Sequence, residues 1–310
     1  MSKKYLLGLV LCLVSVLSWG GMFPIMAPAL KIIDPFYFTL FRYGSVAIIF
    51  TILLLIIEGK EAFNTEGHAF KIWLLGTFAF AGFSFLVFLG QKIAGSSGAI
   101  IASVMMAIQP LLGVLVTWIY KGVKPTIMSL LSMVIAAVGV FMVVTKGDVS
   151  VLFSNQNSIF ALMLILLGAL CWVIYTTGGN DFPDWSILRY STLTSIYGVG
   201  SVIIILIFAT IFGLLKLPTI NQIIGVKTAL FYMISFAGVI AVFAWNMGNR
   251  IIKPINGILF MNLVPIISFV ITIINGYQVT MFELLGVTIT ILALVLNNLY
   301  NRYASKKKIN

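Results

Sequence analysis

Charged residues are scarce in this chain. Only 9% of its 310 residues are Asp, Glu, Lys or Arg, whereas a soluble domain carries about 25%. Hydrophobic residues make up 61% of the sequence, so there is too little polar surface to cover a globule in water. The composition therefore excludes an ordinary soluble domain and predicts a protein of the membrane.

Acidic residues are absent from the middle of the apolar runs. All eight carboxylates lie in loops or at the ends of runs, namely Asp34, Glu58, Glu61, Glu66, Asp148, Asp181, Asp184 and Glu283. Pumps that relay protons use Asp, Glu or His inside the membrane. We therefore expect facilitated efflux or exchange rather than tight coupling to protons.

Residues suited to metal, redox or nucleotide chemistry are few as well. The single histidine, His68, lies in a polar loop. The two cysteines, Cys12 and Cys171, lie in apolar runs, where they act as small hydrophobic residues and form no disulfide framework. The glycine-rich phosphate loop that ends in Lys-Ser or Lys-Thr does not occur. The sequence predicts no metal, no cofactor and no direct use of ATP.

Apolar runs long enough to cross a bilayer fill most of the chain. A transmembrane helix needs roughly 20 mostly apolar residues. The ten predicted spans lie near Tyr5–Met26, Phe36–Ile57, Phe70–Gln91, Ser97–Tyr120, Pro125–Thr145, Ser158–Gly178, Ser186–Gly213, Lys227–Gly248, Pro254–Asn275 and Met281–Tyr303. Short loops join them, so we predict one integral membrane domain, residues 1–310, that is entirely α-helical.

Basic residues are distributed unevenly between the loops. With a cytoplasmic N-terminus, the inner segments carry twelve: Lys3, Lys4, Lys60, Lys71, Lys121, Lys124, Arg250, Lys253, Arg302, Lys306, Lys307 and Lys308. The outer segments carry five: Lys31, Lys92, Lys146, Lys216 and Lys227. This asymmetry follows the positive-inside rule, so the net charge of +11 indicates topology and contact with anionic lipid, not nucleic-acid binding. We expect both termini to be cytoplasmic and the protein to lie in the cytoplasmic membrane.

The predicted spans divide into two sets of five that resemble each other, residues 1–150 and residues 151–310. Four pairs of segments match in order, at offsets of 153, 147, 156 and 155 residues: Leu17–Met22 with Leu170–Tyr175, Leu40–Tyr43 with Ile187–Tyr190, Phe80–Phe83 with Phe236–Val239, and Gln109–Leu112 with Val264–Ile267. Because five is odd, homologous halves have opposite orientations in the membrane. Inverted repeats are typical of secondary transporters, whose substrate binds at the repeat interface.

Proline and arginine occupy matched positions in the two halves. Pro110 and Pro265 lie deep in spans four and nine, where proline bends a helix and frees a carbonyl group. Each is either a packing kink or part of a moving element. Arg42 and Arg189 lie near the outer and inner ends of spans two and seven. Each is either an interfacial side chain bonded to loop carbonyls, or a gate or carboxylate-attracting group at one mouth.

Aromatic and amide residues inside the spans are the candidates for substrate contact. Trp19 and Trp172 lie beyond the middle of their spans, and an indole N–H seeks a partner even in apolar surroundings. Buried amides take their partners from neighbouring helices or from a solute. The best candidates for substrate binding are Trp19, Trp172, Tyr175, Gln109, Asn246 and Asn262.

These motifs resemble those of the drug/metabolite transporter superfamily, in particular its ten-helix EamA-type transporters. The similarity rests on Trp19-Gly20 with Pro24, on Phe41-Arg42, and on Pro110 and Pro265, and it extends over nearly the whole chain. The resemblance implies that helices one to four and six to nine surround a central cavity, with helices five and ten at the periphery. Members of the superfamily move amino acids and other small metabolites, mostly outward, and exporters of aromatic amino acids are among them.

The chain departs from the family pattern after the fourth span of each repeat. A Gly-Glu pair often stands there in the family, whereas this sequence has Tyr120-Lys121-Gly122 and Asn275-Gly276-Tyr277. Any role of that glutamate therefore does not carry over to this chain.

The residues and the resemblance together predict a secondary transporter, not an enzyme, that exports a small organic metabolite such as an amino acid by alternating access. One alternative is a flippase for a lipid or lipid-linked metabolite with the same architecture. Another is a membrane-embedded transferase, but no acid or base here has the spacing of a catalytic motif. We expect a monomer whose partners are a small-molecule substrate and membrane lipid.

Overall fold

The computed structural model describes residues 3–148, 156–252 and 258–307, and within these ranges the chain is helical and contains no β-strand. The helices are α1 (Lys3–Ala29), α2 (Pro35–Ile57), α3 (Ala69–Ile93), α4 (Gly98–Ala107), α5 (Gln109–Lys121), α6 (Ile127–Thr145), α7 (Gln156–Gly178), α8 (Ile187–Ile211), α9 (Ile220–Gly225), α10 (residues 227–252), α11 (Leu263–Ile274) and α12 (Met281–Lys307). The prediction of an all-helical membrane protein is confirmed.

The structure agrees with eight of the ten predicted membrane spans and differs at the fourth and the ninth. Eight of the described helices are long and apolar enough to cross a membrane, and α4 with α5 forms a ninth if this bent pair is one span. The predicted span Pro254–Asn275 coincides with a shorter apolar helix, Phe260–Ile274, and with residues 253–257, which lie outside the described part of the chain. The count of ten spans therefore stays a prediction.

Polar caps fix the starts of the two helices that carry Arg42 and Arg189. Asp34 caps α2, because its carboxylate accepts a hydrogen bond from Phe36 N at 2.9 Å. Ser186 caps α8, because its hydroxyl accepts one from Arg189 N at 2.9 Å. Such caps satisfy backbone N–H groups that have no partner within the helix. Both arginines are thus held at a defined distance from the helix start.

Three helical spans are irregular at their centres. In α3, residues Thr77–Gly82 form a π-helical segment, and in α10 residues Ser235–Ile240 do the same. The pair α4 and α5 is bent by 46° at Ile108. Segments of π-helix are rare and occur frequently at functional sites.

The helices of the two predicted repeats pack in a crossed arrangement. Helix α1 packs against α10 and α11, whereas α7 packs against α3 and α5. The first helix of each half therefore contacts the third and fourth spans of the other half. Helix α2 packs against α8, and α6 packs mainly against α12.

Glycine allows close contact between two of these helix pairs. A Cβ atom on Gly286 of α12 would lie 2.5 Å from the carbonyl oxygen of Gly139 in α6. A Cβ atom on Gly76 of α3 would collide with the carbonyl oxygen of Thr194 in α8, and one on Gly198 with that of Gly76. Small residues at such crossings are the usual means by which transmembrane helices approach each other.

Candidate functional site

The two arginines at matched positions of the predicted repeats lie near opposite ends of the helical bundle. Residues 58–68, residues 179–186 and the adjoining helix ends form a region that we call the Arg189 end. The Arg42 end comprises the end of α1, the start of α2, the end of α3 and residues 212–226. Because a helix rises about 1.5 Å per residue, Arg42 lies about 24 Å from Glu58 along α2.

Arg189 is held by an acidic partner from the other half of the chain. Its Nη2 lies 2.7 Å from Glu66 Oε1 and donates to the carbonyl oxygen of Asn64 at 2.7 Å. The guanidinium carbon lies 4.1 Å from the centre of the Trp185 ring, and Trp185 Nε1 donates to Glu66 Oε2 at 2.9 Å. The side chain therefore bonds to a loop carbonyl, as one of the two interpretations of the sequence expects, and also forms an ion pair with the other half; its role as a gate stays a prediction.

These contacts change the acidity of Glu66. The hydrogen bond from Trp185, followed by that from Arg189, holds the pKa of the Glu66 carboxyl below its usual value. Hydrogen bonds to the charged form of a carboxyl favour ionisation. Glu66 is therefore ionised throughout the physiological pH range.

Two further pairs join the halves at the same end. Lys71 Nζ lies 2.7 Å from Asp181 Oδ2, which also accepts a hydrogen bond from Tyr120 at 3.1 Å. Ser186 donates from its hydroxyl to Glu58 Oε1 at 2.5 Å. Each bond connects a residue before position 150 to one after it, so polar contacts join the predicted repeats at the Arg189 end.

A column of aromatic rings extends from this network into the bundle. Tyr190 stacks on Tyr175 with ring centres 5.2 Å apart, and its hydroxyl donates to the Tyr175 carbonyl at 2.8 Å. Successive ring centres along the column lie 4.8 to 5.5 Å apart, in the order Trp185, Phe182, Tyr190, Tyr175, Trp172 and Phe83. The structure thus brings together two predicted site residues, Trp172 and Tyr175.

Arg42 has a different environment. Its side chain is 3% exposed, and Nη2 contacts Met22 Sδ at 3.5 Å. The guanidinium carbon lies 4.4 Å from the centre of the Tyr43 ring and 5.7 Å from that of Phe88. Within the described residues Nε and Nη1 have no hydrogen-bond partner. Cation–π contacts contribute about 0.5–2 kcal/mol, which is weak compensation for a buried charge.

Buried amides near the Arg42 end and in the bent spans are only partly satisfied. Gln91 donates from Nε2 to the carbonyl oxygen of Phe23 at 2.7 Å, but its Oε1 lacks a partner among the residues described. Gln109 donates to Met106 Sδ at 3.2 Å. Asn262 is 4% exposed, and neither amide atom has a partner in the described ranges. Asn246 is part of helix α10, but the structure does not describe its side chain.

Trp19 contacts the irregular segment of α10. Its Nε1 donates to the carbonyl oxygen of Ala237 at 3.1 Å, inside the π-helical segment, and its ring centre lies 5.4 Å from that of Trp245. In the matching contact between α3 and α7, a Cβ atom on Gly82 would lie 3.0 Å from Cys171 Sγ. Each π-helical segment therefore faces the first helix of the other half.

The two prolines lie at irregular points of their spans. Pro110 is in the first turn of α5, directly after the 46° bend, as expected for proline within a span. Pro265 is buried near the start of α11, three residues after the 3₁₀ turn Ile258–Asn262 ends. Their involvement in movement stays a prediction.

Sequence reasoning missed two features. Glu283 is an acid at a span end, as expected, but its side chain is 0% exposed. It accepts from Tyr277 at 2.6 Å and from Thr280 N at 2.9 Å, and lies 3.8 Å from Lys146 Nζ. The capping-box pattern Thr-x-x-Glu before an apolar run was a signal for it. The second missed feature is the pair of π-helical segments. The matched Phe-Ala-Gly triplets lie in both of these segments.

Three comparisons place the chain among known proteins. A model of the EamA-like transporter family matches residues 6–145. The chain is 43% identical over 303 residues to the uncharacterized transporter YrdR of Bacillus subtilis (strain 168), covering 98% of this chain and 94% of that protein. It is 28% identical over 257 residues to the uncharacterized transporter YyaM of the same organism, covering 82% and 81%.

A solved crystal structure extends the comparison to the fold. It superposes with a TM-score of 0.64 and 14% identity, covering 98% of this chain and 99% of that chain. The apolar helices and these relatives define a multi-pass membrane transporter. The chain belongs to the EamA-like transporter family, within the drug/metabolite transporter superfamily.

Proposed function

We propose that the protein is a secondary transporter that exports a small organic solute across the cytoplasmic membrane. It works by alternating access of two inverted halves, each with five spans. The crossed packing of α1 and α7 and the π-helical segments at matched positions of α3 and α10 support an inverted repeat. Inverted repeats place the substrate at their interface near the bilayer midplane.

The polar network at the Arg189 end is the observation that carries this proposal. Its pairs, Glu66 with Arg189 and Lys71 with Asp181, each join one half to the other. Alternating access requires such contacts to break when one mouth opens and to re-form when it closes. We infer that the network is the gate of this mouth, and the distribution of basic residues supports a cytoplasmic position for it.

Counterflow in proteoliposomes tests the gate. A metabolite-export screen in overproducing cells first identifies the solute, and its radiolabelled form is then followed with wild type, Glu66→Gln and Glu61→Gln. Glu61 is an exposed acid of the same loop, so its variant controls for the loss of charge. We expect Glu66→Gln to slow counterflow several-fold, because the closed state loses an ion pair, and the Glu66→Arg, Arg189→Glu double variant to recover part of the rate.

Equal rates in Glu66→Gln and Glu61→Gln would contradict the gate. A fluorescent-lipid scrambling assay on the same proteoliposomes separates solute transport from lipid flipping. Lipid movement without solute counterflow would overturn the proposed function in favour of a flippase.

The predicted topology has its own test. Reporter fusions at Asn310 and within residues 146–157 distinguish the cytoplasm from the outside. We expect a reporter that is active only in the cytosol to work at Asn310 and to fail in the loop. Activity in the loop contradicts the orientation inferred from twelve inner and five outer basic residues.

A further inference from the structure

Arg42 is a buried cation, and in the part of the chain that the structure describes no acidic side chain forms an ion pair with it. Its contacts are Met22 Sδ at 3.5 Å, the Tyr43 ring at 4.4 Å and the Phe88 ring at 5.7 Å. Only 3% of the residue is exposed to bulk solvent. A buried charge is strongly unfavourable unless it is paired and hydrogen-bonded, and charged residues within membrane spans are usually functional.

The carboxylates of the chain do not supply this partner. Asp34, the acid of the same helix, caps α2 through Phe36 N and lies 4.0 Å from Lys92 Nζ. It is eight residues before Arg42, about 12 Å along the helix axis. Residues 212–226, which occupy the Arg42 end, contain no Asp or Glu. Among the described residues no carboxylate forms an ion pair with the Arg42 guanidinium, so an anion from outside the chain is the remaining candidate for its partner.

We propose that Arg42 binds the carboxylate of an organic substrate, with Met22, Tyr43 and Phe88 contacting its apolar body. The proposal rests on the transport function proposed above and names the substrate class. Guanidinium groups bind carboxylates through strong charge-assisted hydrogen bonds, and Nε and Nη1 are available as donors. The neighbours of Arg42 carry no second positive charge, which favours a monocarboxylate over a phosphate dianion.

A binding measurement tests the assignment without relying on transport. Purified protein in phosphatidylcholine nanodiscs is heated with 3-phenylpropionate or with its neutral amide, 3-phenylpropionamide, and unfolding is followed by tryptophan fluorescence. A ligand that binds only the folded protein raises the unfolding midpoint as its concentration rises. We expect the carboxylate to raise the midpoint and the amide to leave it unchanged, with 4-methylpentanoate and its amide as a second pair with an aliphatic body.

Three variants locate the effect. Arg42→Met removes the response to carboxylate and leaves the ligand-free midpoint equal to or above that of wild type, because an unpaired buried charge is lost. Arg42→Lys keeps the charge but not the planar donor group, so the apparent dissociation constant rises about tenfold, equivalent to about 1.4 kcal/mol. Lys31→Met, which removes an exposed cation at the same end, keeps the response.

The proposal is overturned if neither carboxylate raises the wild-type midpoint more than its amide does, or if Arg42→Met retains the response. A ligand-free midpoint that falls in both Arg42→Met and Arg42→Lys assigns Arg42 to the structure and also overturns it. Should Arg42→Met not fold, the comparison of Arg42→Lys with wild type decides. Carboxylate binding without solute counterflow would reject the transport function while retaining the binding site.

Discussion

The Arg42 and Arg189 ends place the same side chain in two different electrostatic environments. Arg189 has Glu66 at 2.7 Å and a loop carbonyl at 2.7 Å. Arg42 has a thioether and two aromatic rings. The loops explain the difference, because residues 58–68 contain Glu58, Glu61 and Glu66, whereas residues 212–226 contain no acid.

This difference separates two roles that matched positions of the predicted repeats can take. An arginine whose partner is fixed in the other half stabilises one conformation, because the pair forms only when the halves meet. An arginine with no acidic partner among the described residues carries an electrostatic penalty that an anionic ligand relieves. One end is therefore suited to closing a mouth, and the other to binding a charged solute.

The largest expected effect is on transport through the Arg42 end. Hydrogen bonds to charged groups contribute about 1.5–3 kcal/mol each. Losing two of them in Arg42→Met lowers the kcat/KM of solute counterflow by about 100-fold or more, since about 1.4 kcal/mol corresponds to tenfold. Arg189→Met affects a gate contact and lowers the rate only several-fold. Initial rates of radiolabelled counterflow measure both, and equal losses in the two variants contradict the separation of roles.

The next largest effect is on the energetic coupling between the arginine and the acid within each end. A double-mutant cycle of Glu66→Gln with Arg189→Gln gives a non-zero coupling in the unfolding midpoint, because the two side chains touch. The matched cycle of Asp34→Asn with Arg42→Gln gives none, because Asp34 is engaged with Phe36 N and Lys92. Thermal unfolding of the single and double variants in nanodiscs measures both cycles. Coupling between Asp34 and Arg42 of the same size would remove the contrast between the ends.

Much of the fold was predictable because it depends on composition over long windows. Runs of apolar residues give the helices, and the prolines mark irregular spans such as that at Pro110. The exception is the span Pro254–Asn275, where only the shorter helix Phe260–Ile274 is described. The apolar run in this part of the sequence is interrupted by Asn256, Gly257 and Asn262.

The partners of the site residues were less predictable, because they depend on contacts between distant segments. Arg42 and Arg189 were found as charges inside spans, but which of them has an acid follows from loop packing. Glu66 contacts Arg189 across 123 positions of sequence, and no local pattern in residues 58–68 selects it over Glu61. The depth of Glu283 likewise depends on the packing of α6 against α12.

A smaller effect is expected from pH. The folded-state pKa of Glu66 lies below its ordinary value of 4.5, so its stabilising contacts are complete above that pH. They are lost only as the pH falls through the lowered folded-state pKa. Counterflow therefore changes little between about pH 6 and pH 8, and an imposed pH gradient does not drive accumulation.

Uphill accumulation that a protonophore abolishes would contradict this expectation. Asp34 and Glu58 are the loop acids first expected to take a proton, but both are engaged with neighbouring groups. Glu283 is fully buried, so Glu283→Gln is the first variant to examine in that case. Loss of proton-driven accumulation in this variant, with counterflow retained, would identify Glu283 as the coupling residue.

The smallest expected effect distinguishes two buried amides, Asn262 and Gln109. Asn262 has no partner for either amide atom within the described residues, whereas Gln109 donates to Met106 Sδ. If Asn262 contacts the solute, Asn262→Leu leaves the ligand-free unfolding midpoint unchanged or higher and raises the KM of counterflow, by about three- to tenfold for one neutral hydrogen bond. Gln109→Leu changes KM less, because a bond to sulfur is weak and its amide already has a partner in the chain. Counterflow over a range of solute concentrations gives both values, and wild-type substrate dependence in both variants would show that neither amide lines the path.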